Sequence, residues 1–323
     1  MTPCLTALKA WRPGIKIIVV SEPLAAPLLE DHPLVDNLLT CGSSARSRLK
    51  LLSELRRLRL GLAINLHGGS TATLITALSG ANITAGYSDY SYSWMQSLRV
   101  PSPDRVLNQQ QIHSVEQQLA LLKWCGVPLD PAPLLRLAVS RLASESINRM
   151  LSHLEEYAVI APAAAFESKQ WEASSFAAIC DWLHTHKGLP SIVVAGPGQE
   201  QLAQRVAGMA LTKPRVLVGL TLKELVALLS AASIFVGNDS GPMHIAAAFD
   251  RPIVAVFGPS KPGVWHPWTR AKWSIPFCHP ASEDTNGQVR RAGDFYGPAG
   301  ESIKLIPTDA VIGAIDGVLR ESD

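Results

Sequence analysis

The sequence predicts an α/β fold in which short buried strands alternate with helices and pair in parallel sheets. The first observation is a set of short apolar runs that stop at Gly, Pro, Asn or Asp, such as residues 234–236 and 253–257. The second is that segments with apolar residues at helical spacing, such as residues 220–231, separate these runs. Strands that alternate with helices favour parallel sheets. A length of 323 residues favours two domains.

The composition is that of a folded protein with a sizeable core, since 47% of the residues are hydrophobic and 17% are charged. A net charge of +2 does not favour a nucleic-acid partner, and the basic residues within 46–59 are interpreted as the solvated face of a helix. The five cysteines, at 4, 41, 125, 180 and 278, lack metal-site or redox spacing, so we expect a reducing cytoplasm and no metal site. No apolar run reaches the length of about eighteen residues that spans a bilayer, so any membrane contact is expected to be peripheral.

The first half of the chain contains strand and helix units joined by turns. The first helix has Pro3 in its first turn, with Leu5 and Leu8 on one face. A Gly-rich turn over residues 67–71 joins a strand to the helix that follows it. The predicted elements are helices over residues 2–9, 49–60, 72–79 and 111–126 and strands over residues 15–20 and 62–66.

Two stretches of this half leave alternatives open. Residues 86–103 hold Trp94 and three of the five tyrosines, which either stack on a sugar or anchor a surface loop on its own domain. His113 and Glu116 share a face of the helix over residues 111–126, because they are three positions apart. We interpret both as mainly structural, with a ligand contact of His113 as the alternative.

The second half predicts a second domain of the same class. Three prolines within residues 128–133 and a helix over 140–156 predict a linker between 128 and 157. We therefore expect domains over residues 1–140 and 141–323, and leave open whether the last helix packs back on the first domain. The predicted elements are strands over residues 157–161, 191–195, 234–236 and 253–257 and helices over residues 174–186, 220–231, 243–249 and 307–320.

Residues 233–268 carry the densest chemical pattern. A strand, the turn Gly-Asn-Asp-Ser-Gly, a helix and a second strand form a β-α-β unit, whose turn lies at the sheet edge where ligands bind in open α/β folds. The start of the helix favours an anion such as a diphosphate, and Ser240 and Gly241 keep the approach open. Asp239 is either a ligand contact or a turn residue. We interpret His244 as a polar ligand contact rather than as core packing, because it lies one turn into the helix on the side of the turn.

The whole pattern is more specific than its parts. Asp-Ser-Gly-Pro-Met-His-Ile-Ala-Ala-Ala, then Phe-Gly-Pro-Ser-Lys-Pro and Trp-His-Pro-Trp, closely resemble the signature of glycosyltransferase family 9, the heptosyltransferases of lipopolysaccharide core assembly. The resemblance implies the GT-B fold, with two facing Rossmann-like domains and parallel sheets. It implies inverting transfer of a heptose from ADP-heptose, or a related sugar nucleotide, to a lipopolysaccharide-core or other glycan acceptor. It also implies that Asp239, Ser240, Gly241 and His244 hold the donor diphosphate.

The resemblance extends to residues outside this stretch. Lys169, in a Lys-x-Trp motif, is implied to face the diphosphate; a lysine near a helix start is electrostatically unfavourable, which favours function over an exposed structural lysine. Glu200 matches the acid that grips the nucleoside ribose, and its alternative role is to favour the start of its helix. His67 and Ser70 are implied acceptor-side contacts.

The family pattern also contains a first strand and a Gly-Asp loop before the helix over residues 2–9, and the aspartate of that loop is the proposed base. The sequence begins after this point. An upstream start is favoured over a lost strand, because a parallel sheet without an inner strand exposes two edges. The catalytic base is therefore unassigned, with His67 and His113 as the candidates within this sequence.

The resemblance implies no cofactor, because the ADP-sugar is a substrate; Mg²⁺ beside its diphosphate stays an open alternative. The implied partners are a sugar nucleotide donor and a lipid-linked or oligosaccharide acceptor, for a cytoplasmic monomer in peripheral contact with the inner membrane. Alternative functions are a catalytically impaired sugar-nucleotide-binding protein and a sugar-nucleotide epimerase of similar fold. A nicotinamide dehydrogenase is excluded, because no glycine fingerprint follows the first strand.

Overall fold

The computed structural model describes residues 1–129, 132–152, 154–258, 260–275 and 303–320. The chain forms two compact units, Met1–Leu134 and Leu135–Asp323, and their division falls inside the predicted linker. No helix in these ranges has both the length and the apolar character that a bilayer crossing requires. The described cysteines are free thiols, and Cys278 lies outside the described residues.

The first unit contains two parallel sheets, β1-β2 and β3-β4-β5, with helices between the strands. Its elements are α1 (Thr2–Trp11), β1 (Ile18–Ser21), β2 (Asn37–Thr40), α2 (Ala45–Arg57), β3 (Leu62–Ile64), α3 (Ser70–Leu78), β4 (Ile83–Tyr87), β5 (Leu98–Val100), α4 (Pro103–Leu107) and α5 (Ser114–Trp124). Leu51 and Leu55 of α2 share one apolar cluster with Leu39 of β2 and Ile75 of α3. This cluster joins α2 and α3 to the sheet of β1 and β2. No ladder among the described residues joins β1 to β3.

The second unit contains one six-stranded parallel sheet in the order β11-β10-β9-β6-β7-β8. Its elements are α6 (Arg141–Met150), β6 (Ala158–Ala161), α7 (Ala173–Lys187), β7 (Ser191–Ala195), α8 (Glu200–Met209), β8 (Arg215–Val218), α9 (Leu222–Ser230), β9 (Ile234–Asn238), α10 (Gly241–Ala247), β10 (Ile253–Val256), α11 (Pro262–Trp265), β11 (Trp273–Ser274) and α12 (Thr308–Arg320). Residues of β6, β9 and β10 are buried on both faces, which explains their continuous apolar sequences. The order is that of a doubly wound, Rossmann-like sheet.

The helices of the second unit close over this sheet. Phe176 and Leu183 of α7 and Val311 and Ile315 of α12 are buried in the same apolar cluster as β6, β9 and β10. The last helix, whose packing the sequence left open, thus contributes its apolar face to the core of its own unit.

Several strands differ from the sequence prediction. The apolar pattern does not predict β4 and β5, because their Thr, Ala, Gly and Arg residues interrupt any apolar run. Pairing makes them strands: Leu62 of β3 is in register with Ile83, and Ala85 with Leu98. The helix predicted over residues 140–156 ends at Met150.

Candidate functional site

The strand order of the second sheet reverses between β6 and β9. Their paired residues run from Ala158 opposite Ile234 to Ala161 opposite Gly237. From this pair the chain proceeds outward in both directions, through β7 and β8 on one side and through β10 and β11 on the other. Ligands of open α/β sheets bind at such a reversal, beyond the carboxyl ends of the strands. The residues that follow β6 and β9 therefore form the candidate site.

The turn after β9 is tightly held. The Asp239 amide donates to the carbonyl of Val256 over 3.1 Å, and the hydroxyl of Ser240 donates to the carbonyl of Asn238 over 3.2 Å. A side chain at Gly237 would approach the carbonyl oxygen of Ala161 to 2.8 Å, so only glycine lets β9 lie this close to β6. Ser240 is the N-cap of α10, but its side chain does not cap the helix.

Lys169 and Asp239 form an ion pair at the strand reversal. Nζ of Lys169 lies 2.8 Å from Oδ2 of Asp239, and the side chains are 27% and 7% exposed. The carboxylate is almost buried, whereas the ammonium keeps access to solvent. The structure therefore brings together two residues that the sequence analysis proposed separately.

The position of Lys169 depends on residues that the sequence analysis did not single out. Buried Asn238 donates to the carbonyl of Pro162 over 2.7 Å and accepts from the amide of Trp171 over 3.2 Å. It thus fixes both ends of the segment that carries Lys169. A side chain at Gly258 would come within 2.7 Å of the Ser168 carbonyl oxygen, so this glycine admits the same segment from the other side. The sequence signal for this role of Asn238 was an Asn at the end of a buried strand, because a buried side-chain amide requires hydrogen-bond partners.

Gly241 and His244 complete this part of the site. A side chain at Gly241 would meet no atom of a described residue within 4 Å, so the described part of the chain leaves the space at the first residue of α10 open. Burial lowers the pKa of His244 from its ordinary value, and the carboxylate of Asp239 opposes the shift. The imidazole is therefore neutral at neutral pH and has one N–H to donate. Ser260, after β10, has a buried hydroxyl without a partner among the described residues.

Glu200 belongs to the neighbouring turn, after β7. Its Oε1 accepts from the amide of Gly198 over 3.0 Å. Hydrogen bonds from the backbone amides of Glu200 and Gly198 hold the pKa of this carboxyl below its ordinary value. Glu200 therefore closes its own turn at the start of α8, and no contact joins it to Lys169 or Asp239.

In the first unit, the Gly-rich turn after β3 exposes His67 and Ser70. The turn is organised by Asn65, whose Oδ1 accepts from the amides of His67 and Gly68, each over 3.1 Å. Sequence analysis did not predict this role of Asn65. Gly68 has a φ of +82° and lies against the ring of Tyr90. His67 therefore lies on a turn fixed by these two hydrogen bonds, and Ser70 is the first residue of α3.

The structure describes the aromatic segment over residues 86–103 and His113, for which the sequence left alternatives open. Tyr87 is buried and packs edge to face with Tyr90, so these rings anchor the segment on its own unit, whereas Tyr92 and Trp94 are 50% and 71% exposed. His113 is 3% exposed, and its Nδ1 accepts from the amide of Val115 in a capping box completed by Glu116. The structure therefore does not support His113 as a catalytic base.

No group of three or more His, Cys, Asp or Glu side chains lies close enough to hold a metal ion in the described ranges. The polar groups that converge at the strand reversal are an ammonium, a carboxylate and a neutral imidazole beside an open backbone. This set suits an anion with hydroxyl groups attached, since the ammonium and N–H donate to the anion and the carboxylate accepts from hydroxyls.

Known proteins are similar to this chain over most of its length. The profile of glycosyltransferase family 9 (heptosyltransferase) matches residues 48–286. Lipopolysaccharide heptosyltransferase 3 of Escherichia coli is 28% identical over 345 residues, which cover 99% of this chain and 95% of that protein.

Solved structures share the fold. A glycosyl transferase family 9 protein from Veillonella parvula, 22% identical, superposes with a TM-score of 0.82 over 99% of this chain and 92% of its own. The Escherichia coli heptosyltransferase WaaC with ADP, 20% identical, superposes with a TM-score of 0.70 over 98% of this chain and 94% of its own. The GT-B fold class predicted from the sequence is confirmed.

Proposed function

The chain belongs to glycosyltransferase family 9, and on that premise we propose that it is a heptosyltransferase of lipopolysaccharide core assembly. It transfers a heptose, with inversion, from ADP-heptose or a related sugar nucleotide to a lipopolysaccharide-core or other glycan acceptor. Two similarities support this proposal: one relative is a lipopolysaccharide heptosyltransferase, and WaaC was solved with ADP.

The observation that carries the proposal is the Lys169–Asp239 pair at the strand reversal. An ammonium has three N–H donors, and Asp239 is the partner of one of them at 2.8 Å. The remaining donors are available to diphosphate oxygens, and the 27% exposure of the side chain leaves room for them. The neutral imidazole of His244 adds a further donor, and Gly241 leaves space for the phosphate.

These groups assist departure of the leaving group. When the bond from the anomeric carbon to the diphosphate breaks, negative charge grows on the departing ADP. A fixed cation and fixed N–H donors stabilise that charge without reorganising. Asp239 holds Lys169 in place and accepts from hydroxyl groups of the donor, while Glu200 keeps one carboxylate oxygen for the ribose beside its bond to Gly198.

The acceptor hydroxyl must lose a proton as it attacks the anomeric carbon, so the reaction requires a base. We assign this step to none of the donor-site residues. His67, exposed on the turn after β3, is the candidate that this chain offers. The proposal further includes a cytoplasmic monomer in peripheral contact with the inner membrane. Mg²⁺ bound to the diphosphate is a separate proposal, which loss of activity in a chelator would support.

Release of ADP from ADP-heptose, measured with and without a lipopolysaccharide-core acceptor, tests the function. A heptosyltransferase releases ADP in step with acceptor consumption. A sugar-nucleotide epimerase converts the donor without the acceptor and without ADP release. Tight donor binding with neither reaction would instead identify a non-catalytic binding protein.

His67→Gln, with exposed His184→Gln as the matched control, tests the base, whose loss typically slows a reaction about 10²- to 10⁴-fold.

A further inference from the structure

Helix α2 carries the densest positive charge of the chain. It contains five Lys or Arg residues and one acid, Glu54, which is a local net charge of +4. The whole chain has a net charge of only +2, so the remaining residues together are net negative. Positive charge is therefore concentrated on one element rather than spread over the surface.

One face of α2 collects basic residues together with a leucine. Leu51, Leu52 and Leu55 point into the core of the first unit. On the outward face Arg46, Lys50, Ser53 and Arg57 follow one another at intervals of three or four positions, and Leu49 lies beside Lys50. None of its three basic side chains forms a hydrogen bond or ion pair with a described residue.

Apolar surface lies among these charges. Leu49 is 68% exposed, and Leu78, at the end of α3, is 38% exposed. Both line an open depression of about 710 Å³ together with Arg56. Nε of Arg56 donates to the carbonyl of Leu78 over 3.1 Å, which ties the end of α2 to α3 and keeps this surface rigid.

A purely solvated helix face does not account for this arrangement. Arg46 and Lys50 are four residues apart, and like charges at this spacing destabilise a helix. Single exposed leucines are ordinary, but Leu49 lies between the two basic residues and next to the depression. The repulsion is relieved when a surface of opposite charge neutralises these side chains.

We propose that the outward face of α2, formed by Arg46, Leu49, Lys50 and Arg57, docks the protein on an anionic phospholipid surface. The basic side chains lie at the level of the phosphate headgroups, and Leu49 enters the boundary beneath them. A nucleic acid would not use the exposed leucine. The inference names the surface for the peripheral membrane contact proposed above, and it rests on that proposal but not on the donor chemistry.

Sedimentation with vesicles tests the docking face. The full chain is mixed with phosphatidylethanolamine vesicles that contain about a quarter phosphatidylglycerol, or with neutral phosphatidylcholine vesicles. The parent should bind only the anionic vesicles, and more weakly as salt increases. Each basic residue at an anionic surface strengthens binding about fivefold, so the triple variant Arg46→Gln, Lys50→Gln, Arg57→Gln should bind about a hundredfold more weakly.

The matched control removes the same charge elsewhere. Lys123, Arg205 and Arg215 are exposed and lie on other elements. Their triple change to Gln should leave vesicle binding close to that of the parent. Leu49→Gln alone should weaken binding severalfold, because it removes the apolar contact without changing the charge.

Several results would overturn the proposal. These are no binding of the parent to anionic vesicles, equal losses in the two triple variants, or displacement of the parent by millimolar inorganic phosphate, which would indicate a discrete phosphate site. A Leu49→Gln variant as tight as the parent would also contradict it. Calorimetry with ADP on the α2 triple variant keeps the two proposals apart, because ADP binding should be unchanged whether or not the docking proposal holds.

Discussion

Nζ of Lys169 lies 2.8 Å from Oδ2 of Asp239, although 70 positions separate the two residues in the chain. They meet because β6 and β9, which precede them, are neighbours at the point where the strand order of the sheet reverses. The pair places a partly exposed cation beside an almost buried carboxylate. The predictions below test whether this pair and its supports form a donor site.

Lys169→Met should weaken binding of ADP, because it removes a charged donor to the diphosphate while keeping most of the apolar stem. We expect a loss of about 1 to 3 kcal/mol of binding free energy in calorimetry, the usual magnitude for such a partner. Lys304→Met is the matched control, since Lys304 is 58% exposed and pairs with Glu172 at 3.6 Å. Equal affinities of the two variants would remove Lys169 from the site.

Asn238→Ala should lower the free energy of unfolding, because the carbonyl of Pro162 and the amide of Trp171 would lose their partner in a buried environment. Two such groups left unsatisfied cost about 2 to 6 kcal/mol, which urea unfolding would measure. The exposed Asn148→Ala on α6 should change stability by less than about 0.5 kcal/mol. If Asn238→Ala were equally mild, the amide would not hold the Lys169 segment.

Gly241→Ala and Gly258→Ala should separate binding from folding. A methyl at Gly241 meets no atom of the described residues within 4 Å, so stability should stay unchanged, while the methyl takes space from the phosphate. We expect ADP affinity to fall at least about tenfold, or ~1.4 kcal/mol. Gly258→Ala should lower both quantities, because its methyl would lie 2.7 Å from the Ser168 carbonyl oxygen. Unchanged ADP affinity in Gly241→Ala would place the phosphate elsewhere.

His244 should make stability depend on pH. Burial lowers the pKa of His244 in the folded protein below its ordinary value of 6.5. At a pH between the folded and unfolded pKa values the unfolded chain therefore holds more protons, so the free energy of unfolding falls as the pH drops below about 6.5. The stability linked to neutral His244 is fully present at a pH above the pKa of the unfolded state. It is lost as the pH falls towards the pKa of the folded state.

Thermal unfolding of the parent and of His244→Gln from about pH 8 to about pH 5 measures this effect. The stability difference between the two proteins should change in favour of His244→Gln as the pH falls. Exposed His184→Gln serves as the control and should follow the parent. Parallel pH curves of the parent and His244→Gln would show that the imidazole does not need to stay neutral.

The local sequence determined the buried strands β6, β7, β9 and β10 and the turns that follow them. Residues 234–237 are apolar or lack a side chain, as burial on both faces of a parallel sheet requires. The sequence likewise determined the open turn at Gly241 and the basic face of α2, because both depend on residues that are neighbours in the chain. The amphipathic pattern of α12 defined its extent for the same reason.

Only the tertiary structure decided which of these segments meet. The pairing of Lys169 with Asp239 and the bonds of Asn238 to Pro162 and Trp171 follow from the adjacency of β6 and β9, and strand order is not encoded in any local pattern. Strands β4 and β5 exist because they pair with β3 and with each other, which compensates for their weak apolar pattern. The physical reason is common to all these cases. Hydrogen bonds and burial stabilise contacts between distant segments, whereas sequence periodicity shows only which face of each segment is apolar.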